Sequence, residues 1–361
     1  MATQKVSLPS KKSADHLYFV GVDDGHFGTK ICLEDGKCFY MPSRAVIGLQ
    51  QVAALDGSEQ SNAYQVGDEY YTVIEDQVLI EAEDTRHLKP LYPVHPMNLA
   101  IVHHMLQKHG FGGRTLAIAT GLPMNNYYMA GATLNNDLIS AKKAHLLNSQ
   151  ISNLNPSIQL AKIKHHHVLA EGIAAWFDLA LDFNGDEIPE TSKMVADRAL
   201  AIVDIGGKTT DIAMVTEGGQ GLYPERSGTR EVGALNFYEA VGVRLKDKFK
   251  LNAVPPAKHI EQAIRTKKYT LFGETYDVQE IVDHEATMIA QHIKSMMSKL
   301  IGSGADIGYV VFVGGGSILL RNYLAAEYPK QAIFPDHPEF ANARGLLKAA
   351  KYLVETDADE S

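Results

Sequence analysis

No apolar stretch of this chain approaches the ~18–20 residues needed to span a bilayer, so the sequence offers no transmembrane helix. Cysteine is scarce: only Cys32 and Cys38 occur, and two thiols cannot complete a zinc site. They flank Glu34-Asp35-Gly36-Lys37, where Asp-Gly signals a hairpin turn. A two-residue loop at Asp35-Gly36 puts Cys38 opposite Leu33 and turns Cys32 to the other side of the ribbon, a poor geometry for a disulfide. The expectation is two reduced structural cysteines in a cytoplasmic protein. Residues 1–16 lack an apolar segment and lack arginine, and so read as a flexible polar tail rather than a secretory signal or transit peptide. Positive charge is in the minority. A formal net charge of −9 argues against a surface that binds nucleic acid throughout. Two common glycine loops are also missing. A Walker A loop needs glycine where Ile202 stands, and a dinucleotide fingerprint begun at Gly314 needs one at Leu319.

What is present begins with two glycine turns, each following an apolar strand and each opened by Asp. The first runs Tyr18-Phe19-Val20-Gly21-Val22-Asp23-Asp24-Gly25-His26-Phe27-Gly28-Thr29-Lys30. The second runs Leu200-Ala201-Ile202-Val203-Asp204-Ile205-Gly206-Gly207-Lys208-Thr209-Thr210-Asp211. Such a hairpin can turn backbone N–H groups into a small concavity that suits phosphate oxygens. The Asp at each strand end suits a hydrated cation, because Mg²⁺ keeps several waters and takes few carboxylates. Each feature also has a plain structural use. A tight hairpin wants glycine, and Asp caps strand-end turns. Two such turns far apart suggest two domains gripping one nucleotide from opposite sides.

The 361 residues, 45% of them apolar, are enough for two domains with separate cores. Helical spacing predicts helices over 96–108, 170–181, 233–250, 278–301 and 341–353. Short buried strands are expected at 115–120, 158–168 and 309–313, while 44–90 reads as irregular loops and short strands, the clearest at 70–74. The alternation favours an α/β class. The polar stretch 182–197 is the expected boundary. It gives a tail at 1–16, a first domain of 17–190 with 336–361, and a second domain of 191–335.

Asp23-Asp24-Gly25-His26-Phe27-Gly28-Thr29-Lys30 resembles the first phosphate motif of the actin, sugar-kinase and heat-shock-chaperone ATPase superfamily. Asp204-Ile205-Gly206-Gly207-Lys208-Thr209-Thr210-Asp211 resembles the second, and Val311-Phe312-Val313-Gly314-Gly315-Gly316-Ser317 the adenosine motif. Within that superfamily the Asp-Asp-Gly opening and the second turn are most similar to the bacterial ParM/StbA plasmid-segregation actins. The resemblance implies an actin-like, ribonuclease H-like duplicated fold of two α/β domains, with a nucleotide cleft between them. It implies ATP, or GTP, with Mg²⁺ held by Asp23 and Asp204 through water. Gly25 to Gly28 and Gly206 to Lys208 would cradle the phosphates, with Asp24, Thr29, Lys30 and Thr209 beside them.

Glu171, at an expected strand-to-helix junction, would orient the attacking water. Its alternative reading is a first-turn Glu favoured by the helix dipole. Gly314, Gly315, Gly316 and Ser317 would meet adenosine, with Lys246 and Asp247 as the opposite wall; as helix-surface charges those two are equally at home in solvent. The function implied is an ATP-driven filament whose partners are further copies of itself and a DNA-binding adaptor. DNA contact is then indirect, and no membrane is involved. The rival readings are a small-molecule kinase and a non-polymerising scaffold ATPase. His165-His166-His167 invites a metal, but alternate strand residues face opposite sides, so packing on a strand is the simpler reading.

Overall fold

The computed structural model describes residues 16–50, 61–75, 88, 91–148 and 150–359. The expected tail at 1–16 lies outside them except for His16. In the first half, β1 (Leu17–Asp24), β2 (Gly28–Leu33) and β3 (Cys38–Pro42) form a meander around the first turn. After the short β4 (Ala45–Ile47), β5 (Ala63–Val66) and β6 (Glu69–Val73) come α1 (Pro96–Lys108) and β7 (Thr115–Leu122). Then follow α2 (Met124–Tyr127), α3 (Asn136–Asn148), β8 (Ile151–Asn153), β9 (Lys162–Ala170) and α4 (Ile173–Ala180).

A connecting α5 (Pro189–Met194) leads to β10 (Ala199–Ile205) and β11 (Thr210–Val215), which flank the second turn. Beyond lie β12 (Gly228–Arg230), α6 (Ala234–Phe249), α7 (Ala257–Thr266), β13 (Lys268–Leu271) and β14 (Glu274–Asp277). The chain closes with α8 (Gln279–Leu300), β15 (Ile307–Val313), α9 (Gly315–Leu324), β16 (Ala332–Ile333) and α10 (Ala341–Asp359).

The two large sheets repeat one another. The first has the order β3-β2-β1-β7-β9 and the second β12-β11-β10-β15-β16. In each, the strand before the turn pairs antiparallel with the strand after it and parallel with a later one. This is the duplicated architecture that the sequence implied. Central strands are continuous apolar runs because both faces are covered, as in β10, where every residue is buried.

The last helix returns to the first sheet. It packs against β1 so closely that a side chain at Gly21 would overlap the backbone of Ala343 and Leu347. Asp178 of α4 anchors it by accepting from Arg344 at 2.6 Å and Lys348 at 3.0 Å.

The short strands expected within 44–90 are present in its described part, with β6 where 70–74 is expected, but their pairing into a sheet, β4-β6-β5-β8, is not foreseen from the sequence. Its strands are three to five residues long, and β8 arrives from a distant segment, so no local pattern marks it.

The β2–β3 hairpin also has another register. Leu33 pairs with Lys37 around a three-residue loop, with Gly36 at φ +80°. Such a loop, closed by a left-handed glycine, adds one residue to the turn. Cys32 therefore faces Cys38 directly, with Cα atoms 4.1 Å apart, and the two form a disulfide instead of remaining reduced.

Candidate active site

The two glycine turns meet. Phe27 of the first lies against Gly207 of the second, where an added Cβ would collide with the phenylalanine. Ser43 steadies the first turn by donating to the Gly25 carbonyl at 2.6 Å and pairing with the buried Thr29 hydroxyl at 3.0 Å. The second turn is steadied by α6, whose first amides, at Ala234 and Leu235, donate to the Gly206 and Gly207 carbonyls.

Register decides where the acids fall. Asp23 is paired with Lys30 across β1–β2, and the two form an ion pair of 2.8 Å. At the equivalent place in the second sheet, Asp204 is paired with Asp211. Like charges directly opposite one another on a ladder destabilise it. Glu171 sits where expected, between β9 and α4, with its amide donating to the Leu122 carbonyl at 2.7 Å. Gly172 beside it adopts φ +82° and abuts Ala213 of the second sheet.

The electrostatics show that these acids converge. Burial, then Asp211, Asp23 and Asp204, hold the Glu171 carboxyl well above its ordinary range. Burial and Asp211 push Asp204 up to about 7. Burial raises Asp211 to about 6, against the hydrogen bonds it accepts from Thr229 and Met124. Burial disfavours the Lys30 charge, but Asp23, with Asp204 and Glu171, outweighs it and holds the ammonium above its ordinary range. Four carboxylates from both halves thus influence one another, Asp23, Asp204 and Asp211 buried and Glu171 half-buried, and a divalent cation would relieve that repulsion.

Asn342 adds a further polar atom. Its amide donates to Asp204 at 2.6 Å, while its own buried carbonyl oxygen has no partner. Among the described residues no three His, Cys, Asp or Glu are gathered tightly enough to hold a bare ion. Carboxylates contacting a cation through its water shell fit that spacing.

At the third motif, Gly314 has φ +81° and presses on Asp204 and the Ile205 carbonyl, where a Cβ would collide. Gly315 faces open space at the start of α9, so backbone amides are free to be approached there. Ser317 is turned inward, its hydroxyl donating to the Gly314 carbonyl at 2.7 Å.

Other expected residues lie elsewhere. Asp24 points to the opposite side of β1 from Asp23. It accepts from Lys142 at 2.9 Å on both oxygens and from Asn98 at 2.8 Å. His26 packs beside the Tyr92 ring. Thr209 bonds the Asp211 carboxylate, and Lys208 is half-buried on the same turn.

Lys246 and Asp247 are not brought to the turns. They occupy the far end of α6, about 18 Å along the axis from Ala234. The residues that do bridge the halves there are Phe27 and Arg44 with Leu235, Tyr238 and Ile260, around a cavity of about 210 Å³. A cavity of about 1280 Å³ lies away from the glycine turns, between α4 and residues 218–228.

His166 donates or accepts to Thr120 at 2.9 Å inside β9, which is packing and not metal ligation. Asn342, Lys142 and Asn98 carried no sequence signal, since each reaches its Asp across more than 70 residues.

Residues 18–182 match the family model of plasmid segregation protein ParM, N-terminal. Residues 202–326 match that of archaeal actin homologue MreB-like, C-terminal. No curated protein matches the chain. Among solved structures, a non-polymerisable quadruple mutant of pCBH ParM superposes with a TM-score of 0.74 at 18% identity. The match covers 93% of this chain and all of that one. An archaeal actin homologue in complex with ADP gives 0.71 at 18% identity, with 93% and 100% covered. A ParM from a 15-stranded filament of Clostridium botulinum gives 0.69 at 19%, with 93% and 99% covered. The chain therefore has the actin-like fold, its residues 18–182 resembling the ParM/StbA family and its residues 202–326 the archaeal MreB-like one.

Proposed function

We propose that the chain is a Mg²⁺-dependent ATPase that assembles into filaments, in the manner of plasmid-segregating actins. The single observation that carries this reading is the convergence of Asp23 and Lys30 from one half with Asp204 and Asp211 from the other, around two facing glycine turns. The ADP held by the archaeal homologue and the filament of the clostridial ParM support it. Residues 17–190 with 336–361, and residues 191–335, act as the two domains.

Amides of Gly25 to Gly28 and Gly206 to Lys208 cradle the phosphates, and Gly315 lets the nucleoside approach the start of α9. Asp23 and Asp204 would hold Mg²⁺ through water, with Asn342 fixing the Asp204 carboxylate, and the ion would supply positive charge against the phosphates. Glu171 accepts a hydrogen bond from the attacking water and aligns it; positioning does most of the work in phosphoryl transfer.

Differential contact with the γ-phosphate then biases the two halves toward a closed, polymerising arrangement. A DNA-bound adaptor carries the cargo, which keeps DNA contact indirect and accords with the acidic net charge. No described helix is long and apolar enough to cross a membrane.

Glu171→Gln tests the assignment. Nucleotide affinity should stay within about twofold while turnover falls by about two orders of magnitude, the usual worth of a positioned general base. Turnover equal to the wild type would remove Glu171 from the mechanism.

A further inference from the structure

At the tip of the β13–β14 hairpin, Leu271 pairs with Glu274 around a two-residue turn, Phe272-Gly273. Both central residues are left-handed, at φ +50° and +83°. Such a turn favours Asn, Asp or Gly at its first position, because a larger side chain there strains the backbone. Here that position holds phenylalanine, and its side chain is 95% exposed. The ring makes little contact with its own fold while the backbone bears the cost of the left-handed conformation, which leaves the ring available to a surface outside this fold.

A complementary feature lies at the far end of the helix that follows the hairpin, between the two halves. Helix α8 starts directly after the hairpin and runs 22 residues, about 33 Å. Its last turn abuts residues 224–228, with the Leu300 carbonyl accepting from Arg226. Those residues form one wall of the 1280 Å³ cavity, whose other walls include Ile173, Trp176, Phe177 and Leu222. Met129, 53% exposed, stands at its edge. An apolar knob and an apolar receptacle thus lie at opposite ends of one helix. A knob on one copy and a pocket elsewhere on the next make a heterologous contact that does not close, which generates a filament.

We infer that Phe272 is the anchor of the contact between successive copies, and that the hairpin of one copy enters the cavity between α4 and residues 218–228 of the next. This rests on the filament reading, and it names the surface that reading requires. The left-handed backbone presents the ring away from its own sheet. Desolvation of one aromatic anchor is the kind of contact that dominates an interface.

Two measurements test it separately from that reading. Phe272→Asn suits the left-handed turn, so its melting temperature should equal or exceed that of the wild type. Its critical concentration for pelleting with Mg-ATP should rise at least about tenfold. Filaments of unchanged critical concentration would overturn the inference while leaving the filament reading intact.

In the second, a benzophenone side chain replaces Phe272 and the full chain is irradiated with Mg-ATP. The expected cross-link joins two copies, mapped by mass spectrometry to 173–195 or 218–228 of the acceptor. Such a cross-link without pelleting would uphold the contact and count against long filaments. Cross-links mapped elsewhere, or none between copies, would overturn it, the cavity then being left to a different partner.

Discussion

Lys142 makes a sharp test because it is 1% exposed and fully committed. Its ammonium donates to both Asp24 oxygens at 2.9 Å and to the Gly121 carbonyl at 2.7 Å. Lys142→Met keeps the stem and removes the charge. Asp24 then retains only the Asn98 amide, so a nearly bare carboxylate stays buried. Removing one partner of such a pair costs about 3–5 kcal/mol.

For a unit of 150–250 residues that corresponds to a melting temperature roughly 6–20 °C lower, at about 2–4 °C per kcal/mol. Urea unfolding followed by circular dichroism would report the loss directly. Adding Asp24→Asn to the variant removes the orphaned charge and should recover at least about half of it.

The sequence resemblance places Asp24 beside the phosphates, whereas the geometry makes it the anion of an internal pair. Asp24→Asn alone distinguishes the two. It should lower stability and leave nucleotide affinity within about twofold. A Lys142→Met protein melting within about 3 °C of the wild type would refute the reasoning, as would an Asp24→Asn protein that is stable but fails to bind nucleotide.

Asp204→Asn relieves the like-charge pairing with Asp211 while keeping an acceptor for Asn342. In nucleotide-free protein at pH 8 it should gain about 1–2 kcal/mol of stability, because Asp204, raised to about 7, is ionised there against burial and its neighbours. Mg²⁺-dependent turnover should be lost, and a variant that hydrolyses normally would contradict the site.

His166 gives a pH signature: burial lowers it to about 3, so the folded state keeps it neutral. The unfolded state takes up the proton below about 6.5, so its contribution is complete above that pH and is lost as pH falls through 3. The stability difference between wild type and His166→Asn should shrink by about 2 kcal/mol from pH 6.5 to 5, the acid cluster contributing equally to both and cancelling. A difference independent of pH would show that His166 is not held neutral.

Local chemistry made much of the fold legible. Apolar periodicity located α1 at 96–108 and the strand ends at both turns, because those patterns answer to burial within a few residues. The positions of the candidate residues were legible where one strand and its turn carry them, as with Asp23, Asp204 and the glycines, and Glu171 does stand at the strand-to-helix junction expected for it.

What escaped is tertiary. Asn342 reaches Asp204 across 138 residues and Lys142 reaches Asp24 across 118. No pattern in either segment specifies its partner. Lys246 and Asp247 lie on α6 at the end away from the glycine turns, because position along a helix axis depends on which end meets the turn. The cysteine pair failed on a single residue of register, since one left-handed glycine lengthens the turn and exchanges the faces of the ribbon.

Nucleotide-driven assembly is the central claim, and right-angle light scattering of the purified chain measures it most directly. With Mg-ATP, scattering should rise above a critical concentration and fall back as ATP is consumed, with pelleting in step and little response to Mg-ADP. Protein that binds Mg-ATP yet shows no rise at any concentration would contradict the account.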